Sequence, residues 1–510
     1  MNGRTKKSIK NGIVAGLMYL ITILFGFLSQ KVFINTLGNE YLGINGLFSN
    51  VLSMLAIVEL GFGSAIIYNL YKPIADRDEE KVRTLMQFYR KTYNIIACTI
   101  FVLGMIVLPF IKNIVGKVTI KENIYFLFFL SLLDIVTSYL LTYKRSILYA
   151  DQKIYLINIV HIGYVVLLNS FEIILLNKFK NYVLYLILKI IFRILENVVD
   201  TIIANKKYKY ITIKSNEELD TATKNDIYKK VRGLLFHKIG GALVLSSDNI
   251  IISKIFGVVT VGLYSNYYLI ISAVNNFFGQ IFTSIVASVG NLLLENDKDK
   301  SYKIYRNILF FNSWIYNFAG ICILCLIEPF ISIWIGNQYL LDYSVLITLV
   351  VNFYVQGMRK TSNLFKEAAG IFYEDRFVPL IESGINVISS IVLAKIFGLS
   401  GVFMGTILSS MVLFLYSYPV FVYEKIFKRK YKNFIIEHLR YLGISIIITI
   451  ITVIIVNQFN ANNMLLQLII NAIICIIVPN IIYTVLFRKT EEFKYFYNLI
   501  KKFLKKTKDA

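Results

Sequence analysis

The chain has 510 residues, of which 56% are hydrophobic and 15% aromatic, with a net charge of +23 and a mean hydropathy of +0.63. Soluble domains hold about 45–50% apolar residues even with glycine counted, so this composition excludes an ordinary soluble protein. The basic residues come in bursts between apolar runs, a placement that fits the positive-inside rule and anionic lipid rather than a nucleic-acid groove.

From the N-terminus, Arg4, Lys6, Lys7 and Lys10 precede an apolar run from Gly12 to Phe33. The run is long enough to span, and no small-residue cleavage site follows a short apolar core, so it reads as an uncleaved first helix. A spanning helix needs about 20 mostly apolar residues. On that rule about fourteen transmembrane helices are predicted, near 12–33, 42–68, 92–111, 122–142, 154–176, 182–203, 233–256, 261–290, 307–327, 341–358, 377–397, 400–423, 441–457 and 464–486. The run 261–290 exceeds a bilayer and must tilt or project from it. Residues 76–91, opening on the capping-box pattern Asp76-x-x-Glu79, and residues 296–306 read as short helices at the inner interface.

Two turns organise the rest. Gly38 to Gly43 and Gly257 to Gly262 both read Gly-x4-Gly, 219 positions apart, and Pro109-Phe110-Ile111 ending in Gly116 returns 220 positions later as Pro329-Phe330-Ile331 ending in Gly336. Motifs recurring in order at one offset are the trace of a duplicated unit. A duplicated membrane bundle marks a transporter whose halves rock around a midplane site. The expected fold is therefore all-α and integral to the membrane: two pseudo-symmetric six-helix bundles, 1–203 and 232–424, around one cavity, joined by a flexible cytoplasmic linker, 204–231. Two extra transmembrane helices follow in 425–487, then a basic amphipathic cytoplasmic tail, 488–510. With the N-terminus inside, six cations fall on external connections and five within spans, so 43 of the 54 face the cytoplasm, as does the C-terminus.

No catalytic constellation is apparent. His161, His237 and His438 lack ligand spacing, there is no Walker A loop, and the external connections are short. Neither enzyme activity, nor a metal, nor a cofactor is expected. Cys322-x-x-Cys325, like Cys98 and Cys475, falls in apolar spans and reads as small apolar residues in helices.

Charge within the spans is the informative feature, because Lys, Arg or Asp at a helix centre costs about 2.5–3.5 kcal/mol each. Such residues persist when they face a wet cavity or a partner. Lys189 and Arg193 share one face of the sixth span, and Lys238, Asp248 and Lys254 lie along the seventh. Lys31 stands at the outer end of the first span, nearly matching Lys254 in the second half. Together Lys31, Lys189, Arg193, Lys238 and Lys254 make a candidate cationic, substrate-binding cavity. Glu59 and Asp134 lie deep enough to couple an ion, and Asp248 either joins them or neutralises a lysine. In the alternative reading Arg193 pairs with Glu196 or Asn197 on its own helix, and Lys31 and Lys254 snorkel to the outer headgroups.

Phe33-Ile34-Asn35-Thr36-Leu37-Gly38 with Glu40-Tyr41-Leu42-Gly43-Ile44-Asn45-Gly46-Leu47-Phe48 resembles the opening of bacterial polysaccharide flippases of the Wzx type. So do Glu59-Leu60-Gly61-Phe62-Gly63, Ser247-Asp248-Asn249-Ile250, Gly262-Leu263-Tyr264-Ser265-Asn266-Tyr267 and Glu374-Asp375-Arg376 before Pro379-Leu380-Ile381-Glu382. The resemblance covers most of residues 10 to 425. It implies a superfamily shared with multidrug exporters and lipid II flippases, and a place in the bacterial plasma membrane. The implied cargo is an undecaprenyl-pyrophosphate-linked oligosaccharide for capsule or exopolysaccharide synthesis. Membrane lipids, a proton or sodium ion, and a polysaccharide polymerase are the implied partners. A lipid II flippase or a multidrug or cation antiporter of the same fold is the alternative; a membrane glycosyltransferase or polymerase is disfavoured by the short external loops.

Overall fold

The computed structural model describes residues 3–59, 62–215, 217–295, 297–371 and 374–508. The side chains of 3–9, 232–239, 241–245 and 502–508, and of a few single positions, lie outside that description, and Lys238 is among them. No strand occurs among the described residues, and the chain divides into two compact units, Met1–Gly262 and Leu263–Ala510.

The first unit holds α1 (Gly3–Leu37), α2 (Asn39–Leu55), α3 (Phe62–Asp76), α4 (Glu79–Val107), α5 (Ile111–Val115), α6 (Ile124–Tyr139), α7 (Arg145–Ala150), α8 (Ile154–Phe179), α9 (Tyr182–Lys207) and α10 (Thr221–Phe256), and the first turn of α11 (Val258–Leu294). In it α1 packs on α8, α6 on α9 and α4, and α10 on α2 and α3. By packing, the seventh predicted span lies in this unit, whereas the repeat offset assigns it to the second copy. The second unit continues α11 and adds α12 (Lys298–Trp334), α13 (Tyr343–Ala368), α14 (Val378–Phe397), α15 (Leu399–Val412), α16 (Tyr431–Asn457), α17 (Met464–Phe487) and α18 (Glu491–Lys508). After α15 the chain winds as π-helix over Leu413–Ser417 and Pro419–Ile426; the missing N–H of Pro419 is a local reason for the wider turn.

Ten of these helices are long and apolar enough to cross a membrane. The predicted spans that do not qualify on those grounds are 42–68, 182–203, 233–256 and 341–358. The first is broken near Ala56–Glu59 into α2 and α3, and the other three carry charged or polar groups on α9, α10 and α13.

Two predicted interfacial helices are corrected. Residues 79–91 are the start of α4, and 298–306 the start of α12, because nothing between them and the spans interrupts propagation of the helix. The N-caps are Asp78, accepting from the Lys81 N–H at 2.9 Å, and Asp297, accepting from the Lys300 N–H at 2.9 Å.

The two Gly-x4-Gly turns meet each other. Gly38 and Gly257 hold φ of +93° and +88°, a region glycine enters without steric cost. Gly43 lies directly against the backbone of Val258, and Gly262 against that of Asn39, with no room for a Cβ at either. The Asn39 side chain donates to the Val259 carbonyl at 2.9 Å.

The linker 204–231, expected to be flexible, is instead a strap. Tyr208, Ile211, Leu219 and Ile227 are buried in one cluster with Leu85 and Tyr89 of α4. Ser215 donates to Glu80 at 2.5 Å, and Lys81 pairs with Asp220. The Lys81 ammonium and the Thr223 donors hold the Asp220 carboxyl well below the usual carboxylate range. Trypsin is therefore expected to cut the folded protein slowly at the exposed Lys209 and Lys214, because cleavage there needs the strap to lift. Cleavage at those lysines as fast as in urea would mean a free linker.

The tail forms the predicted amphipathic helix, α18, and the first two aromatic residues of its apolar face pack on α12. Phe496 stacks on Phe311 at 5.2 Å, and Phe493 on Trp314 at 6.1 Å, while Arg306 of α12 pairs with Glu492 at 2.5 Å.

Candidate functional site

In the first unit α2, α6 and α9 surround a polar cavity of about 220 Å³. Asn181 caps the start of α9, accepting from Leu184 N at 3.0 Å, and Asn123 caps α6, accepting from Tyr125 N at 2.9 Å. From those starts the helical repeat brings Lys189 and Arg193 of α9 and Asp134 of α6 to the cavity wall.

Arg193 is engaged. Its guanidinium stands 3.6 Å from Asp134 and 3.3 Å from Glu196, and 4.9 Å from the centre of the Tyr164 ring. Glu196 also takes a hydrogen bond with His161 at 2.8 Å and faces Arg145 at 3.5 Å. Arg145 reaches Asp200 at 2.5 Å and donates to Asn197 at 2.9 Å. The Glu196 and Asp200 side chains are each only 2% exposed, so these ion pairs stand in for the water both carboxylates have lost. Lys189 differs: among the described residues no carboxylate lies within ion-pair distance of it, and its ammonium sits 5.6 Å from the Tyr185 ring.

The other predicted residues whose side chains are described lie apart from that cavity, and Lys238 falls outside the description. Lys31 is exposed on α1, and Lys254 is exposed on α10, donating to the Asn113 carbonyl at 3.1 Å. Glu59 closes the 3-10 turn after α2, with its carboxylate and the Tyr93 hydroxyl both over Gly63. Asp248 is buried on α10.

Sequence reading missed Arg145 and His161 as partners of Glu196. Their separations along the chain follow no helical spacing, and Arg145 falls on a predicted connection. It also missed two buried pairs of the second unit. Arg359 of α13 grips Glu382 of α14 at 2.6 and 3.2 Å, and Lys366 pairs with Asp375, which accepts from Ser417 at 3.1 Å. Arg359 falls one residue beyond the predicted span 341–358, where a cation reads as a cytoplasmic flank.

Two helical units and, among the described residues, ten helices long and apolar enough to cross a membrane define an all-helical, multi-pass membrane protein. No protein-family model matches the sequence, and comparison with curated proteins finds no match. Solved structures do match. The lipid II flippase MurJ in an inward closed conformation aligns with a TM-score of 0.64 at 15% identity, over 94% of this chain and 99% of its own. An inward-facing multidrug resistance MATE family transporter of the MOP superfamily aligns at 0.58 and 16% identity, over 78% and 94%. A Vibrio cholerae MATE transporter aligns at 0.53 and 14%, over 79% and 95%. The chain therefore has the helical fold these transporters share.

Proposed function

We propose that the chain is a flippase carrying an undecaprenyl-pyrophosphate-linked oligosaccharide from the inner to the outer leaflet of a bacterial plasma membrane, for capsule or exopolysaccharide assembly. It works by alternating access through a cavity whose cations shield the headgroup: Lys189 foremost, then Arg193, with Lys31, Lys238 and Lys254 along the same path. Glu59, Asp134 and Asp248 are the proposed carboxylates for a coupling proton or sodium ion, and a polysaccharide polymerase the proposed protein partner.

The observation that carries the reading is Lys189, an ammonium on the wall of a polar cavity within a membrane bundle, with no carboxylate within ion-pair distance among the described residues and the buried Glu172 as its more distant counter-charge. A lysine kept at that depth marks a path for an anion, and a pyrophosphate bearing sugars cannot cross hydrocarbon unaided. In cells that depend on this chain for polymer export, Lys189→Gln is expected to stop export and leave lipid-linked oligosaccharide on the inner leaflet. The protein should remain in the membrane, and Lys189→Arg should restore export. Normal export by Lys189→Gln would overturn the proposal.

A second reading, lipid II as cargo, is supported by the extent of the likeness to the lipid II flippase over both whole chains. Growth of cells depleted of their own lipid II flippase, sustained by this chain alone, would favour it.

A further inference from the structure

The cavity of the first unit has a wall that the charge argument leaves unused. Four serines line it, Ser49 and Ser53 on α2 and Ser131 and Ser138 on α6. Each spends its hydroxyl hydrogen on its own helix. Ser49 donates to the Asn45 carbonyl at 2.8 Å, Ser53 to that of Ser49 at 2.6 Å, Ser131 to that of Leu127 at 3.0 Å, and Ser138 to that of Ile135 at 2.6 Å. What each hydroxyl offers the cavity is a lone pair. Asp134 Oδ1 faces Arg193 Nε at 3.6 Å, so these two atoms serve each other rather than the cavity. The donor on the α9 side is Lys189.

A phosphate only accepts hydrogen bonds, so a wall of four lone pairs repels it. A sugar ring suits such a wall, because every hydroxyl both donates and accepts. The size agrees. Sites for drug-sized ligands run about 300–1,000 Å³, and a cavity of about 220 Å³ fits a smaller body, on the scale of one ring. The charge agrees as well. Asp134 and Glu196 offset Arg193, and Lys189, which has no carboxylate within ion-pair distance among the described residues, is placed to meet an anion beside the ring.

We propose that this cavity is a saccharide subsite, which holds by its hydroxyls the sugar joined directly to the pyrophosphate while Lys189 takes the adjoining phosphate. The inference rests on the flippase reading and goes beyond it, because it makes the first unit a reader of sugar rather than of charge alone. Specificity for the cargo then resides in α2 and α6, and Lys189 is indifferent to which sugar follows the phosphate.

The full-length protein in lipid nanodiscs tests this with two probes: a short prenyl pyrophosphate, and the same compound bearing one hexose. The hexose is expected to tighten binding about tenfold, and Ser49→Ala/Ser131→Ala to bring the ratio of the two affinities close to one, since each lost hydrogen bond is worth about a factor of three. Ser53→Ala/Ser138→Ala is expected to lower the same ratio. Alanine suits a helix interior, and binding of the sugar-free probe reports that each variant is folded. Equal affinity for both probes in the unaltered protein, or a preference for the hexose that survives both double variants, would overturn the subsite and leave the flippase reading standing. Failure of both probes to bind the unaltered protein would overturn both.

Discussion

Arg359→Met is expected to cost the protein about 3–5 kcal/mol of stability, because it leaves Glu382 charged and buried without its partner. The Arg359 side chain is 16% exposed and that of Glu382 4%. Besides the two bonds to Glu382, the guanidinium donates to Gln356 at 2.8 Å and to the Tyr418 hydroxyl at 3.3 Å. The double variant Arg359→Met/Glu382→Met removes both charges and is expected to recover most of the loss, since a buried pair replaced by apolar side chains is often neutral. Thermal inactivation of the purified protein in detergent measures this. A double variant no more stable than Arg359→Met would show that packing, and not an orphaned carboxylate, sets the cost.

Gly43→Val is expected to be as damaging, at about 3 kcal/mol, by a different route. A side chain there runs into the backbone of Val258, which cannot swing aside as a flexible side chain can. The contact between the two turns must part, taking the Asn39 to Val259 hydrogen bond with it. The comparison that isolates the contact is Gly163→Ala on α8, where an added Cβ meets nothing within 4 Å; that variant is expected to be neutral or to gain up to about 1 kcal/mol. Equal stability of Gly43→Val and the unaltered protein would mean that the turns are not held together.

What the sequence made legible followed from composition, period and repetition. Fourteen apolar runs, the repeat offset and the turn glycines led to an all-helical membrane fold, and the turns proved to be a contact as well as a repeat mark. Corrections arose where helix continuity or surface packing decided. Nothing in residues 76–91 states whether they lie along the membrane or extend the next span, and the charged residues of 204–231 conceal the apolar ones that anchor the strap. The site was legible by helix face, since spacing alone puts Lys189 beside Arg193. Its pairings were not. Arg193 meets Asp134 and Arg145 meets Asp200 through the packing of α6 and α7 on α9, which no local pattern encodes.

The pairing of α12 with α17 has a consequence for the order of events during synthesis. Trp314 donates its indole N–H to Asn480 at 2.8 Å, and Ser313 lies 3.4 Å from the Tyr483 hydroxyl. The Asn480 partner is made 166 residues after Trp314, which at 5–20 residues per second means a wait of about 8–33 s. For that interval the polar face of α12 is in the membrane without the helix that will cover it, and polar side chains open to lipid are costly. A ribosome paused, or a message truncated, before α17 would therefore leave a nascent chain whose α12 offers indole and hydroxyl donors to any passing helix, a natural mark for the proteases that clear unfinished membrane proteins.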